Sequence, residues 1–156
     1  MGDECIYTDW MSIDETRACL CLASRRAARS ITAAFDRALK PHGLRATQFT
    51  LLSVLAIKGP TRIGTLATIV GTERTTMTRN VAVAEKAGLV ATRRDDEDAR
   101  QRLVGISARG RAVLEEAFVT WRRVQGDLAA GLGIEAVDGL RRFAAAGRRP
   151  ARGAMS

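Results

Sequence analysis

The sequence predicts a mainly α fold with one small β-hairpin, and three observations carry that expectation. Apolar residues recur at three- and four-residue steps over most of the chain, glycine and proline punctuate those stretches, and two short strand-like runs flank an acidic turn. At 156 residues the chain has the size of one domain with helical arms rather than two independent domains. Apolar residues make up 46% and aromatics only 4%, so alanine, leucine and valine supply much of the apolar content, a mix that favours helices.

From Asp14 to Lys40, the residues Leu20, Ala23, Ala27, Ile31, Ala34, Phe35 and Ala38 make the apolar stripe of one long helix, which Pro41-His42-Gly43 ends. Thr47 is the expected N-cap of a second helix, Gln48 to Lys58, whose Phe49, Leu52, Val54, Leu55 and Ile57 are apolar enough for burial; Gly59-Pro60 stops it. Ile63, Leu66, Ala67 and Val70 form one face of a short third helix closed by Gly71. Thr72 is the expected N-cap of a fourth, Glu73 to Ala87, with Gly88 as its stop. Leu89 to Arg94 and Arg102 to Ile106 read as strands, and Asp95-Asp96-Glu97-Asp98 between them is too acidic to be other than a turn. Ser107 is the expected cap of a long helix in which Leu114, Ala117, Phe118, Trp121, Val124 and Leu128 keep near-heptad spacing until Gly131-Leu132-Gly133 interrupts it. A last helix, Ile134 to Ala146, turns Val137, Leu140 and Phe143 inward, and the tail beyond it is expected to be disordered. No internal repeat is present.

The formal net charge of +8 draws the chain toward polyanions, either nucleic acid or an acidic membrane surface. Asp3, Glu4, Asp9, Asp14 and Glu15 make the start acidic, so the positive excess lies beyond the first helix, with Arg141, Arg142, Arg148, Arg149 and Arg152 at the end. No apolar run nears the roughly 20 residues that span a bilayer, and no signal-peptide pattern opens the chain; a cytoplasmic protein with no membrane partner is expected. Met1-Gly2 does not make a myristoylation signal, because Ile6 stands where Ser or Thr is needed. Cys5, Cys19 and Cys21 are odd in number and clustered, which predicts reduced thiols rather than a disulfide framework.

Two short helices joined by a tight turn and followed at once by a charged hairpin form a geometry suited to reading duplex DNA. On the fourth helix, Met77, Val81 and Ala84 share the face that would dock on the core. Arg74, Thr75, Thr78 and Arg79, with Thr76 and Ala82 beside them, point away and offer hydroxyls for phosphates, guanidiniums for guanine edges and small groups for the thymine methyl. Such a face could simply be solvated, but threonines at 72, 75, 76 and 78 have poor helix propensity, which suggests selection for contact.

The segment Gly71-Thr72-Glu73-Arg74-Thr75-Thr76-Met77-Thr78-Arg79-Asn80 resembles the recognition helix of MarR-family regulators. Gly88-Leu89-Val90, Arg93-Arg94, Asp98-Ala99-Arg100, Leu103-Val104 and Ile106-Ser107-Ala108-Arg109-Gly110 resemble that family's wing, and Gly43 to Phe49 its usual second-helix start. The resemblance covers nearly all of residues 16–146 and implies a winged helix-turn-helix with flanking dimerisation helices. The expected division is a flexible arm at 1–13, an N-terminal dimerisation helix at 14–46, the DNA-binding domain at 47–107, C-terminal dimerisation helices at 108–146 and a disordered basic tail at 147–156. It further implies DNA contacts from Arg74, Thr75, Thr76, Thr78, Arg79 and Asn80 on the helix and from Arg93, Arg94, Asp98, Arg100 and Arg102 on the ribbon. Arg100 would reach toward the minor groove, oriented by Asp98. Three departures from the family pattern occur: Gly64-Thr65 replace Ser-Glu, Arg62 replaces a Thr cap, and Ala84 replaces Leu.

The apolar surface of the first and last two helices exceeds what a small winged domain needs, so a homodimer on a pseudo-palindromic operator is expected. The resemblance implies release by a small aromatic or phenolic effector, or by oxidation of a cysteine. Cys19 and Cys21, beside Arg25 and Arg26, are the candidate redox sensors; two residues apart on a helix, they face different ways, so one is expected in the core. His42 reads as a surface or capping residue. No phosphate loop, metal-binding His/Glu pair or nucleophile elbow is present, so no enzyme, catalytic residue, cofactor or resident metal is expected. The competing readings are a non-specific nucleoid-type DNA-binding protein and a thiol-based metal sensor.

Overall fold

The computed structural model of the chain describes residues 19–95, 98 and 101–146. The expected arm at 1–13, the first turns of the first helix, Arg100 and the tail at 147–156 lie outside the described residues.

Helix α1 spans Leu20–Leu39 and passes into a 3-10 turn, Lys40–His42, that Gly43 ends at φ 69°. Helix α2, Ala46–Lys58, then starts one residue before Thr47, which lies inside it. The reason is tertiary: Asp36 in the last turn of α1 accepts the Ala46 N–H at 2.7 Å, and the Gln48 side chain folds back to accept the Arg45 N–H at 2.9 Å. The orphan amides at this helix start are therefore met without a threonine cap.

A two-residue strand, β1 (Thr61–Arg62), leads into α3 (Ile63–Val70). Gly71 adopts φ 74°, and the N–H groups of Gly71 and Thr72 both reach the Ala67 carbonyl at 2.9 Å. This closure commits Thr72 to the end of α3, so Glu73, not Thr72, is the N-cap of α4 (Arg74–Lys86). Strands β2 (Val90–Arg94) and β3 (Arg102–Ile106) form the expected hairpin, and β1 adds to it in the order β1-β3-β2, all antiparallel. Strand β1 is too short to leave a period-2 pattern and was not expected.

Ser107 caps α5 (Ala108–Leu132) as predicted, its hydroxyl accepting the Gly110 N–H at 2.9 Å and donating to the Gly88 carbonyl at 2.7 Å. Gly133 separates α5 from α6 (Ile134–Ala146).

The core lies inside the winged unit. Leu51, Leu52 and Leu55 of α2, Leu66 of α3, Met77 of α4 and Val104 of β3 are buried together, with Leu114 and Ala117 of α5 closing one side. The arms stand outside it: α1 buries only Leu39, and α6 buries none of its residues. Three expectations of burial fail. Ile57 is 79% exposed, because the helical period places it away from Leu52 and Leu55. Phe143 is 60% exposed and Leu140 is exposed too, since among the described residues α6 packs mainly along α5. Cys19 and Cys21 are both exposed, because this end of α1 projects past the core. His42 is half-buried rather than a surface residue, with Nε2 2.9 Å from the Thr120 hydroxyl of α5. Next to it the rings of Phe49, Trp121 and Phe118 stack in series, centroids 5.6 and 5.4 Å apart.

Candidate nucleic-acid interface

Helix α4 is amphipathic in the sense its sequence predicts. Met77, Val81 and Ala84 are buried on the core and fall on one face at 3.6 residues per turn. Arg74, Thr75, Thr76, Thr78, Arg79 and Ala82 are exposed, and Asn80 is half-buried at the edge of that surface. Among the described residues no apolar neighbour covers the outward side, so two guanidiniums and three threonines stand exposed along two turns of the helix. The Thr78 hydroxyl donates back to the Arg74 carbonyl at 2.9 Å, so it presents its methyl and lone pairs outward rather than a free donor.

An open cleft of about 380 Å³ runs between this helix and the start of α2, lined by Arg45, Thr47, Gln48, Asn80 and Val83. Arg45 adds an exposed cation that the sequence did not single out. The only signal for it was its place before a helix that packs beside α4.

The ribbon continues the basic surface. Its pairing sets Arg94 directly across from Arg102 and Arg93 across from Leu103, and all three arginines are exposed. Alternation along β2 and β3 puts Arg94 and Arg102 on the same side as Val90 and Val104, past the point where the core ends. Like charges facing each other across strands destabilise a hairpin, and an anion laid over them removes that repulsion. Asp98 is half-buried in the turn, its carbonyl accepting the Gln101 N–H at 2.8 Å. The Arg100 partner expected for it lies outside the described residues.

Two side-chain braces that sequence reasoning missed hold helix and ribbon in register. Glu85 of α4 accepts both the Thr92 N–H (3.0 Å) and the Thr92 hydroxyl (2.6 Å) of β2. Arg62 of β1 donates from Nε to Asp95 Oδ2 at 2.5 Å, and Asp95, 6% exposed, is the one buried charged residue among those described. Asp95 is thus turned inward and neutralised, so one of the turn's acids does not face outward.

Among the described residues, no group of three His, Cys, Asp or Glu side chains is placed to hold a metal. No described helix is long and apolar enough to cross a membrane.

The MarR family model matches residues 42–101, from the end of the 3-10 turn through the acidic turn of the ribbon. The chain has no match among curated protein sequences. Among solved structures it resembles the M. tuberculosis transcriptional regulator MosR in complex with DNA, with 39% identity, TM-score 0.71, 84% of this chain and 99% of that chain covered. It also resembles the transcriptional repressor CouR bound to a 23-mer DNA duplex, with 25% identity, TM-score 0.76, 90% of this chain and 100% of that one covered. CouR from Rhodococcus jostii RHA1 bound to p-coumaroyl-CoA shares the fold at 20% identity and TM-score 0.70, with 85% and 93% covered. With a helix pair, ribbon and flanking arms in the same order, and a relative this similar matched over nearly its whole length, the chain belongs to the MarR family of transcriptional regulators.

Proposed function

We propose that the chain is a sequence-specific, double-stranded-DNA-binding repressor that grips a pseudo-palindromic operator as a homodimer. The observation that carries this reading is the uncovered Arg/Thr face of α4 with the Arg94–Arg102 pair alongside it, fixed by the Glu85–Thr92 contacts. In this reading Arg74, Thr75, Thr76, Thr78, Arg79 and Asn80 enter the major groove, where guanidiniums and amides match base edges. Arg93, Arg94 and Arg102, with Asp98 and Arg100, follow the backbone and the adjacent minor groove. Both MosR and CouR are solved on DNA, which supports the partner.

The homodimer is supported by the apolar residues that a single copy leaves uncovered on its arms: Leu20, Phe118, Val119, Leu132, Ile134 and Phe143. Its arms would be the 14–46 and 108–146 helices, with 47–107 as the reading unit. Release follows from a small aromatic or phenolic effector or from cysteine oxidation. For the first, an apolar groove of about 140 Å³ between α1, α5 and α6, walled by Ile31, Phe35, Leu128 and Leu140 with Arg141 at its side, suits an aromatic acid. For the second, the Cys19 and Cys21 thiols are free and exposed.

The test is enrichment of duplexes from a random pool by the full chain, followed by affinity measurements on the winner and on scrambled DNA, with and without aromatic acids or mild peroxide. A repressor of this kind enriches an inverted repeat with half-sites about 10 bp apart. Equal affinity for all duplexes would replace this reading with a non-specific nucleoid-type binder.

A further inference from the structure

We propose that Arg62 is a positioning residue for DNA binding: its ion pair with Asp95 sets the angle at which the ribbon's arginines meet the duplex beside α4. This rests on the DNA-binding reading above and adds a residue that need not touch DNA itself.

Arg62 stands where a helix would ordinarily take Ser, Thr, Asp or Asn, residues whose side chain accepts an N–H of the first turn. A guanidinium has no acceptor, and α3 accordingly starts without a side-chain cap. What the position offers instead is reach. The Arg62 main chain pairs with Leu103 in the middle strand, while its Nε donates to Asp95 Oδ2 just beyond the end of the outer strand, β2. The Asp95 main chain in turn donates to the Gln101 carbonyl at 3.1 Å, which closes the neck of the turn. One residue at the root of α3 therefore holds the ribbon at two places, on its middle strand through the backbone and at the tip of its outer strand through the side chain. A single attachment permits pivoting about it; two separated attachments define an orientation.

Electrostatics point the same way. Asp95 and Asp98 belong to a run of four acids in the sequence, between two strands that carry exposed arginines. Arg62 draws the Asp95 carboxylate inward, with only 6% of the residue exposed, so its charge is matched within the protein rather than presented to phosphates. Lysine at 62 would keep the charge but lose the directional Nε–H that the carboxylate oxygen receives.

The experiment uses the full chain and the duplex it enriches. Wild type, Arg62→Ala, Asp95→Asn and the double variant are compared by affinity, by hydroxyl-radical protection of the minor groove under the ribbon, and by guanine methylation protection in the major groove under α4. Both single variants are expected to lose about tenfold in affinity. The minor-groove protection fades while the major-groove protection persists, and the double variant binds no worse than Arg62→Ala. Affinity within twofold of wild type, an even loss of protection in both grooves, or additive losses in the double variant would overturn the proposal. Thermal melts identify a variant that fails to fold. Asp95→Asn, nearly isosteric, then decides alone. A wild type that enriches no motif refutes the DNA-binding reading instead, so the two failures are distinct.

Discussion

Arg79 lies opposite Met77, Val81 and Ala84 around α4, in the middle of the outward face, and is exposed. A bidentate contact from that place to a guanine edge is worth about 1–3 kcal/mol of discrimination. Arg79→Ala is therefore expected to weaken operator binding by that amount while leaving binding to random duplex nearly unchanged, as read by titration on the two DNAs. A second residue decides folding rather than recognition. Gly110, in the first turn of α5, is in direct contact with Leu89 and the hairpin, and a methyl there would overlap the Leu89 carbonyl oxygen and crowd Ile106. Because the obstacle is backbone, Gly110→Ala is expected to cost about 3 kcal/mol, seen as a lower denaturation midpoint at unchanged slope. A midpoint equal to wild type would mean that the helix start shifts freely. At this scale the buried and outward faces of α4 were legible, because periodicity alone separates Met77 from Arg79. The Arg62–Asp95 and Glu85–Thr92 pairs were not, since each joins residues on different elements and no local pattern announces which donor meets which carboxylate.

Helix starts show how tertiary groups override local chemistry. Thr47 and Thr72 both have the side chain of an N-cap, yet Asp36 supplies the acceptor at one start and the αL closure of α3 claims Thr72 at the other. Ser107 was legible because nothing competes for its place: β3 ends, the hydroxyl accepts the Gly110 N–H, and α5 begins. Ser107→Ala is expected to lower stability by about 1 kcal/mol through the lost cap, with Ser107→Thr retaining most of it, measured by urea unfolding. Equal midpoints for Ala and wild type would show that the cap is dispensable. Strand β1 escaped notice because two residues cannot display an alternation, although they carry the brace on which the ribbon depends.

For the whole molecule, apolar exposure is concentrated on the arms, while the winged unit buries its own core. The sequence revealed the excess of apolar surface but not that α6 would bury none of its residues, since amphipathicity says which face is apolar and not what covers it. In the proposed homodimer, a charge at Phe143 or Leu132 is therefore expected to separate the two copies without unfolding either. Phe143→Glu is expected to sediment as a monomer with wild-type secondary structure and to bind its operator far more weakly; an unchanged dimer would place the contact elsewhere. The start of α5 adds a mechanical consequence. Gly110 is pressed on Leu89, and Ser107 is bonded to Gly88, so no slack joint separates the long helix from the hairpin. With 25 residues, α5 is a rod of about 37 Å, and a tilt of only about 5° at one end sweeps the other through ~3 Å. In the release proposed above, α5 would act as a crankshaft, carrying a displacement of its far end to the ribbon bonded at its root.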